Sequence, residues 1–196
     1  MSPLEISVAT EFLGIERPEV GECWYRLTIC TPAPGSVPLE GGMTLQVDRG
    51  LDAMRRADTV VVPGWCGRSA SDHPELVEEL RRAHRRGVRM VSFCTGAFAL
   101  AAAGVLDGRR ATTHWLAADD LRRLHPEVDV DPDVLYIQDG DVWTSAGSAA
   151  SIDCALALVR ADHGAEVAND LARDLVVPPH RQGGQAQFVA APVTPE

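Results

Sequence analysis

The spacing of apolar positions predicts strands that alternate with helices along the middle of the chain. Residues 57–63 and 88–93 are short apolar runs with β-branched members, which is typical of buried parallel strands. Residues 74–86 carry apolar side chains at helical spacing beside a charged face, and the Ala- and Leu-rich residues 97–104 predict a buried helix. This alternation predicts an α/β domain with a mostly parallel sheet.

The same criteria assign the remaining segments. Residues 2–13 predict a helix, because Leu4, Val8 and Phe12 recur at helical spacing between a Ser-Pro start and Gly14. The other predicted elements are strands at 24–30, 43–47 and 110–113, a loop at 31–42, a helical turn at 51–56, a β-hairpin at 134–137 and 142–144 around Asp139-Gly140, and helices from His114-Trp115 to Leu124, at 145–160 and at 165–177. Residues 1–177 are therefore assigned to the domain. Residues 178–196 have turn residues and no periodicity, and are assigned to a linker or C-terminal arm.

Composition and charge narrow the classes of function. The 196 residues, 45% of them hydrophobic, suit one domain with a substantial core. The net charge of −10 argues against direct nucleic-acid binding, and no apolar run approaches the roughly 20 residues of a membrane span. The five cysteines lack C-x-x-C spacing, which indicates a reducing cytoplasm. Histidine and cysteine show no zinc-ligand spacing, so we expect neither a metal nor a cofactor.

Cys94 stands where the strand at 88–93 passes into the helix at 97–104. A cysteine at such a join resembles a nucleophile elbow, in which a sharp strand-to-helix turn exposes the reactive atom. The free N–H groups and the dipole of the helix would favour a thiolate and would bind an oxyanion or carboxylate beside it. From its position alone, Cys94 could equally be a small buried hydrophobic residue, because free cysteines often have no other role.

Four segments resemble the DJ-1/PfpI superfamily, also called class I glutamine amidotransferase-like. They are VVVPGW at 60–65, SFCTGAFALAAAGVLDGRRATTHW at 92–115, TSAGSAASIDCALALVRADHG at 144–164 and LVVPPHRQGGQAQFV at 175–189. The last three, in this order, resemble the amino-terminal domain of AraC-type transcriptional regulators of the GlxA/FtrA kind. The resemblance implies a flavodoxin-like three-layer sandwich with the cysteine on the elbow.

The resemblance also implies a site around the cysteine. Its implied catalytic residues are the elbow residue Cys94, the acidic Glu5 of the first helix, and His114, twenty residues after the cysteine. Its implied ligand-binding positions are Gly64, Trp65, Thr95 and Gly96. Such a pair of carboxyl and thiol could share a proton, and an imidazole near a thiol can serve as a base. Taken alone, Glu5 fits an exposed helix carboxylate, His114 a packed core histidine and Trp65 a loop contact.

The sequence departs from the superfamily at two places. Members usually begin with a central strand before the helix that carries the acidic residue, whereas here that helix starts at Ser2. Losing a central strand leaves neighbouring backbone groups unpaired, so we expect a chain truncated upstream. At the other end, the sequence stops where the helix-turn-helix module of the regulators would begin.

Two functions of different classes follow, with two weaker ones behind them. The first is a cytoplasmic, homodimeric, ligand-sensing domain of an AraC-type regulator, with a small anionic or amide-like metabolite bound at the elbow. The second is a cysteine-dependent enzyme of the isonitrile hydratase type, although that group usually has Asp where this chain has Glu5. A glyoxalase-like or redox-protective role and an inherited, unused pocket complete the alternatives.

Overall fold

Helices and strands alternate along the chain as the hydrophobic pattern predicts. A computed structural model describes residues 2–20, 24–64, 73–179 and 181. The helices are α1 (Pro3–Leu13), α2 (Pro74–Arg85), α3 (Ala97–Ala102), α4 (Ala118–Leu124) and α5 (Ala150–Asp174). The strands are β1 (Gly35–Pro38), β2 (Thr44–Val47), β3 (Thr59–Val62), β4 (Arg89–Phe93), β5 (Arg110–Ala111), β6 (Asp129–Val130), β7 (Tyr136–Asp139) and β8 (Val142–Ser145). Short 3₁₀ segments lie at Pro18–Val20, Glu40–Gly42, Leu51–Arg56, Cys94–Gly96 and Trp115–Ala117.

The central sheet has four strands in the order β3-β4-β8-β7. The first three are parallel, with Val61 opposite Val91 and Phe93 opposite Ser145. Strand β7 is antiparallel to β8 and forms the predicted hairpin around Asp139-Gly140. Two smaller pairs, the antiparallel β1-β2 and the parallel β5-β6, lie outside this sheet. The prediction of a mostly parallel α/β sheet is confirmed.

Helices cover both faces of the sheet, because alternate side chains of the central strand β4 enter different cores. On one face Met90 packs with apolar residues of α2, α3 and α4, including the fully buried Leu80, Phe98 and Leu121. On the other face Val91 and Phe93 pack with α1 and α5, including Val8, Phe12, Leu156 and Val159. These two cores make the three-layer sandwich expected from the sequence.

The predicted strand at 24–30 is wrong. The segment lacks ladder pairing with any described strand, and a backbone hydrogen bond lies just after it, where the Thr31 N–H donates to the Arg49 carbonyl over 3.0 Å. β-branched composition favours an extended chain, but a strand also needs a hydrogen-bonded neighbour. The described chain enters the fold through α1, and β3 is an edge of the sheet within the described residues.

Three other predictions need correction. The helix expected at 145–160 begins at Ala150, because β8 runs to Ser145 and residues 147 and 148 turn with positive φ. The separate helix expected at 165–177 is the second half of α5, which bends at Gly164 (φ 89°, ψ 171°) and ends at Asp174. The loop expected at 31–42 contains β1. Within the described residues, no helix has the length and apolar character that crossing a membrane requires.

The amino-terminal end of the sheet is held by a polar network. Arg89, the first residue of β4, donates two hydrogen bonds to the Asp162 carboxylate over 2.7 and 2.6 Å and a third to the Thr59 hydroxyl over 3.0 Å. The Tyr25 hydroxyl donates to the same carboxylate over 2.6 Å. This network ties the extended segment at 24–30 to α5 and to the first residues of β3 and β4.

Candidate functional site

Cys94 lies on a strained turn at the carboxyl end of β4. Its φ is +53°, a value that non-glycine residues rarely adopt. The chain leaves β4 at Phe93, makes one 3₁₀ turn over Cys94–Gly96 and enters α3 directly. Backbone strain of this kind concentrates at functional sites, where the surrounding packing maintains it. The structure therefore places Cys94 on the elbow that the sequence predicts.

Close packing maintains the strained turn. A Cβ atom at Gly96 would lie well under 3.0 Å from the Val62 carbonyl oxygen, so only glycine fits against β3. A Cβ atom at Gly147 would lie under 3.0 Å from the backbone of Cys94 itself. From the other side, the Thr113 hydroxyl donates to the Cys94 carbonyl over 2.9 Å. Three neighbouring segments thus fix the elbow in place.

Glu5 reaches this turn from the first helix. Its side chain points into the fold and is only 1% exposed. One carboxyl oxygen accepts the Gly64 N–H over 3.0 Å, and the other accepts the Ser148 N–H over 3.1 Å. A Cβ atom at Gly64 would lie 2.6 Å from Glu5 Oε2, the oxygen that accepts the Gly64 N–H, and 3.0 Å from the Cys94 Cβ. The structure therefore brings Glu5, Gly64 and Cys94 together, and the alternative of an exposed helix carboxylate is wrong for Glu5.

The Cys94 thiol is held in its neutral form. Burial and then the negative charge of Glu5 raise the pKa of Cys94 to about 11, whereas a backbone hydrogen bond from Thr95 acts in the opposite direction. The expectation that the turn favours a thiolate is therefore not met, because desolvation and a neighbouring carboxylate outweigh the helix terminus. The site therefore holds a thiol beside a carboxylate, and one proton can move between these two groups.

His114 faces a different partner. Its Nδ1 accepts the Leu116 N–H over 3.3 Å, which caps the turn Trp115–Ala117, and its ring stacks on Trp115 at 5.9 Å. Among the described residues, no hydrogen bond joins this imidazole to Cys94. The role of His114 as a base stays a prediction, as do the ligand contacts of Thr95 and Gly96. Trp65 lies outside the described residues.

Two site residues escaped the sequence analysis. Gly147 packs on the cysteine, and Ser148, with φ +49°, supplies an N–H group to Glu5. The signal was present, because both residues lie in the quoted segment TSAGSAASIDC. The small residues of this segment favoured a predicted helix over 145–160, whereas the structure uses residues 146–149 as the loop that closes the site against β4.

The fold and the site define an α/β sandwich protein with a cysteine on a nucleophile elbow and a buried acidic partner. The chain belongs to the DJ-1/PfpI family, whose model matches residues 18–161. Glu5 and α1 precede the matched range.

The curated relatives of the chain include transcriptional regulators and an enzyme, and a solved structure shares its fold. The chain is 35% identical over 153 residues to the HTH-type transcriptional regulator CdhR of Pseudomonas aeruginosa, covering 78% of this chain and 45% of the regulator. It is 38% identical over 104 residues to the isonitrile hydratase of Pseudomonas putida, covering 53% of this chain and 44% of that enzyme. The crystal structure of an AraC family transcriptional regulator from Pseudomonas putida matches with a TM-score of 0.78 at 24% identity, covering 89% of this chain and 93% of the other.

These comparisons confirm the DJ-1/PfpI fold and the similarity to AraC-type regulators that the sequence predicts. The chain spans about half the length of the curated relatives it matches.

Proposed function

We propose that this chain is the ligand-sensing domain of an AraC-type transcriptional regulator. The observation that carries the proposal is the 35% identity to a transcriptional regulator over 78% of the chain. That match spans most of the domain, whereas the match to the isonitrile hydratase spans 53% of the chain. In this function the site binds a small molecule, and its occupancy changes the arrangement of segments beyond the domain. Homodimerisation and a cytoplasmic location stay predictions.

The charge of the site favours one of the two expected ligand classes. Glu5 is buried beside Cys94, and within the described residues no Arg or His side chain forms an ion pair with it. An anionic ligand beside this carboxylate would be repelled. An amide-like ligand can donate to the carboxylate and accept from the backbone N–H groups of the turn. We therefore expect a neutral, amide-like metabolite.

Ligand-dependent stabilisation tests this proposal. Thermal unfolding of the chain is measured with a panel of small amides and, in parallel, of carboxylates of matched size. A binding ligand at a hundredfold excess over its Kd should stabilise the fold by about 2.7 kcal/mol. The effect should disappear in Cys94→Trp, which fills the site, and persist in Cys30→Ala, a free cysteine outside it. Selective stabilisation by carboxylates, or an equal effect on both variants, would contradict the proposal.

An isonitrile hydratase is the second candidate, and the elbow cysteine favours it. In that function water adds to the isonitrile carbon and an N-substituted formamide is released, so no other reactant is needed. The weakness is the thiol, because a cysteine with a pKa of about 11 has little thiolate at neutral pH unless a base takes its proton. Formation of formamide from an isonitrile, lost in Cys94→Ser, would establish the enzyme and displace the sensing function.

A further inference from the structure

Arg181 of the C-terminal segment is held to α5 by an ion pair. The Arg181 guanidinium donates to both oxygens of the Asp153 carboxylate, from Nε over 2.8 Å and from Nη2 over 2.6 Å. The Asp153 side chain is only 5% exposed, whereas Arg181 is 40% exposed. A two-point contact between guanidinium and carboxylate is strong and geometrically specific. A carboxylate this deeply buried also depends on its cation, because burial without a partner is costly.

A second arginine defines the path of the segment. Arg160 Nη2 donates to the Pro179 carbonyl over 3.2 Å and to Asn169 Oδ1 over 2.9 Å. The chain therefore contacts α5 at Arg160 and then, two residues later, at Asp153. Arg160 and Asp153 are seven residues apart along α5, which corresponds to a rise of about 10.5 Å. The segment after α5 thus runs back along that helix toward its amino-terminal end.

That end of α5 is continuous with the Cys94–Glu5 site. Ser148 donates its N–H to Glu5, and its carbonyl accepts the Ser151 N–H over 3.1 Å at the first turn of α5. Gly147 rests on Cys94, and its carbonyl accepts the Ala150 N–H over 3.0 Å. Asp153 lies in the same first turn. Backbone hydrogen bonds therefore connect Ser148, a partner of Glu5, to the turn that carries Asp153.

We propose that the Arg181–Asp153 ion pair is a tether that couples the state of the Cys94–Glu5 site to the chain that follows the domain. Arg181 acts as a positioning residue, because it holds the first turn of α5 and does not touch the reacting atoms. The proposal rests on the proposed function in one respect: in a regulator, a change in the site would be passed through this ion pair to residues 182–196. The coupling itself exists in the free chain and is reciprocal: the site alters the tether as the tether alters the site.

The first arm of the test perturbs the tether and reads the site. In Arg181→Gln, the rate at which iodoacetamide alkylates Cys94 should rise about fivefold or more, the lower end of typical coupling between sites. Arg173→Gln is the matched control, because Arg173 pairs with the exposed Asp170 of the same helix. It should leave the rate unchanged. Asp153→Asn is the second variant. It breaks the same pair without stranding a buried charge, and thermal unfolding checks that both proteins are folded.

The second arm perturbs the site and reads the tether. The Nε–H of Arg181 is hydrogen-bonded, so NMR can follow its exchange with water, and its signal is assigned by its loss in Arg181→Gln. In Glu5→Gln this exchange should accelerate about fivefold or more. The Nε–H of Arg89, bonded to Thr59 at the far end of the sheet, should exchange at its original rate.

The outcomes distinguish a tether that couples the site to the C-terminal segment from a contact that only holds this segment in place. Alkylation unchanged in both Arg181→Gln and Asp153→Asn, or Arg181 exchange unchanged in Glu5→Gln, overturns the coupling. Neither arm uses a ligand, so a failed ligand panel would count against the sensing function and leave the tether standing.

Discussion

The two ends of the central sheet each gather an acidic side chain, but they treat it in opposite ways. At the amino-terminal end, Asp162 receives two hydrogen bonds from Arg89 and one from Tyr25, so a cation balances its charge. At the carboxyl-terminal end, Glu5 accepts hydrogen bonds from the Gly64 and Ser148 backbone N–H groups and lies beside the Cys94 thiol. A cation balances the charge of the first carboxylate, whereas the second lies beside a thiol, without a cation among its described partners, and can exchange a proton with that thiol. We call the charge-balanced end the structural end and the end that carries the proposed site the functional end.

The pKa values of the groups at the two ends of the sheet show the same difference. Burial alone would raise the pKa of Asp162, but the hydrogen bonds from Arg89 and Tyr25 outweigh it and hold that pKa below its ordinary value. Burial and the charge of Asp162 raise the pKa of Tyr25, so its hydroxyl stays a donor. At the other end, burial and Glu5 raise the pKa of Cys94 to about 11. Evenly balanced charges thus stabilise one end, and packing must hold the other.

The largest expected effect comes from overpacking the close contact at the elbow. Gly147→Ala adds a Cβ atom against the Cys94 backbone at a residue whose φ is +79°. Gly108→Ala is the matched control, because its φ is +70° and nothing lies within 4 Å of the added atom. The conformational cost of about 1–2 kcal/mol is common to both, and overpacking adds roughly 1–3 kcal/mol to Gly147→Ala alone. Denaturant unfolding of both variants measures the difference. Equal losses of stability would mean that the elbow is not tightly enclosed.

A smaller effect is expected at the structural end. Asp162→Asn removes the charge that Arg89 and Tyr25 share, and should lower the free energy of unfolding by about 1–2 kcal/mol, since the network is partly exposed. Because the folded-state pKa of Asp162 is depressed, this contribution is present above the ordinary value of 3.8 and is lost as the pH falls below it.

Unfolding measured at pH 6 and at pH 3 checks the sign. The gap between wild type and Asp162→Asn should be wider at pH 6 than at pH 3. Asp170→Asn, in an exposed pair with Arg173, should show almost no gap at either pH. A gap that widens toward pH 3 would contradict the assignment of Asp162 as the charged centre of the network.

The sequence pattern predicts an element correctly where residues close together in the chain determine that element. The β-branched run of β3, the amphipathic α2 and the Asp139-Gly140 hairpin are predictable because neighbouring residues determine them. The segment at 24–30 was mispredicted because strand formation depends on a neighbour that composition does not reveal. Residues 145–149 were mispredicted because their small side chains suit a helix, whereas the contact of Gly147 with Cys94 requires a loop.

The site was predictable in position and not in charge state. Cys94 could be placed from the strand-to-helix join, and Glu5 from the family resemblance, because both depend on order along the chain. The direction of the thiol pKa depends on burial and on the placement of Glu5, which are properties of the tertiary structure. The ion pair of Arg181 and Asp153 joins residues that are 28 positions apart, and no sequence pattern predicts this contact.

The smallest effect on stability and the sharpest test of the functional end is Glu5→Gln. The substitution leaves one backbone N–H without its acceptor, a loss of about 1 kcal/mol, and removes the charge that raises the pKa of Cys94. That pKa should therefore fall below its wild-type value of about 11, and a shift of one unit would give about tenfold more thiolate at pH 8. Iodoacetamide alkylation against pH measures it, with Cys94→Ser to subtract other thiols. Glu11→Gln, on the same helix but 43% exposed and paired with Arg17, should keep the wild-type profile. If Glu5→Gln left the profile unmoved, burial alone would set the pKa of Cys94, and the carboxylate would be a packing element like Asp162 rather than its opposite.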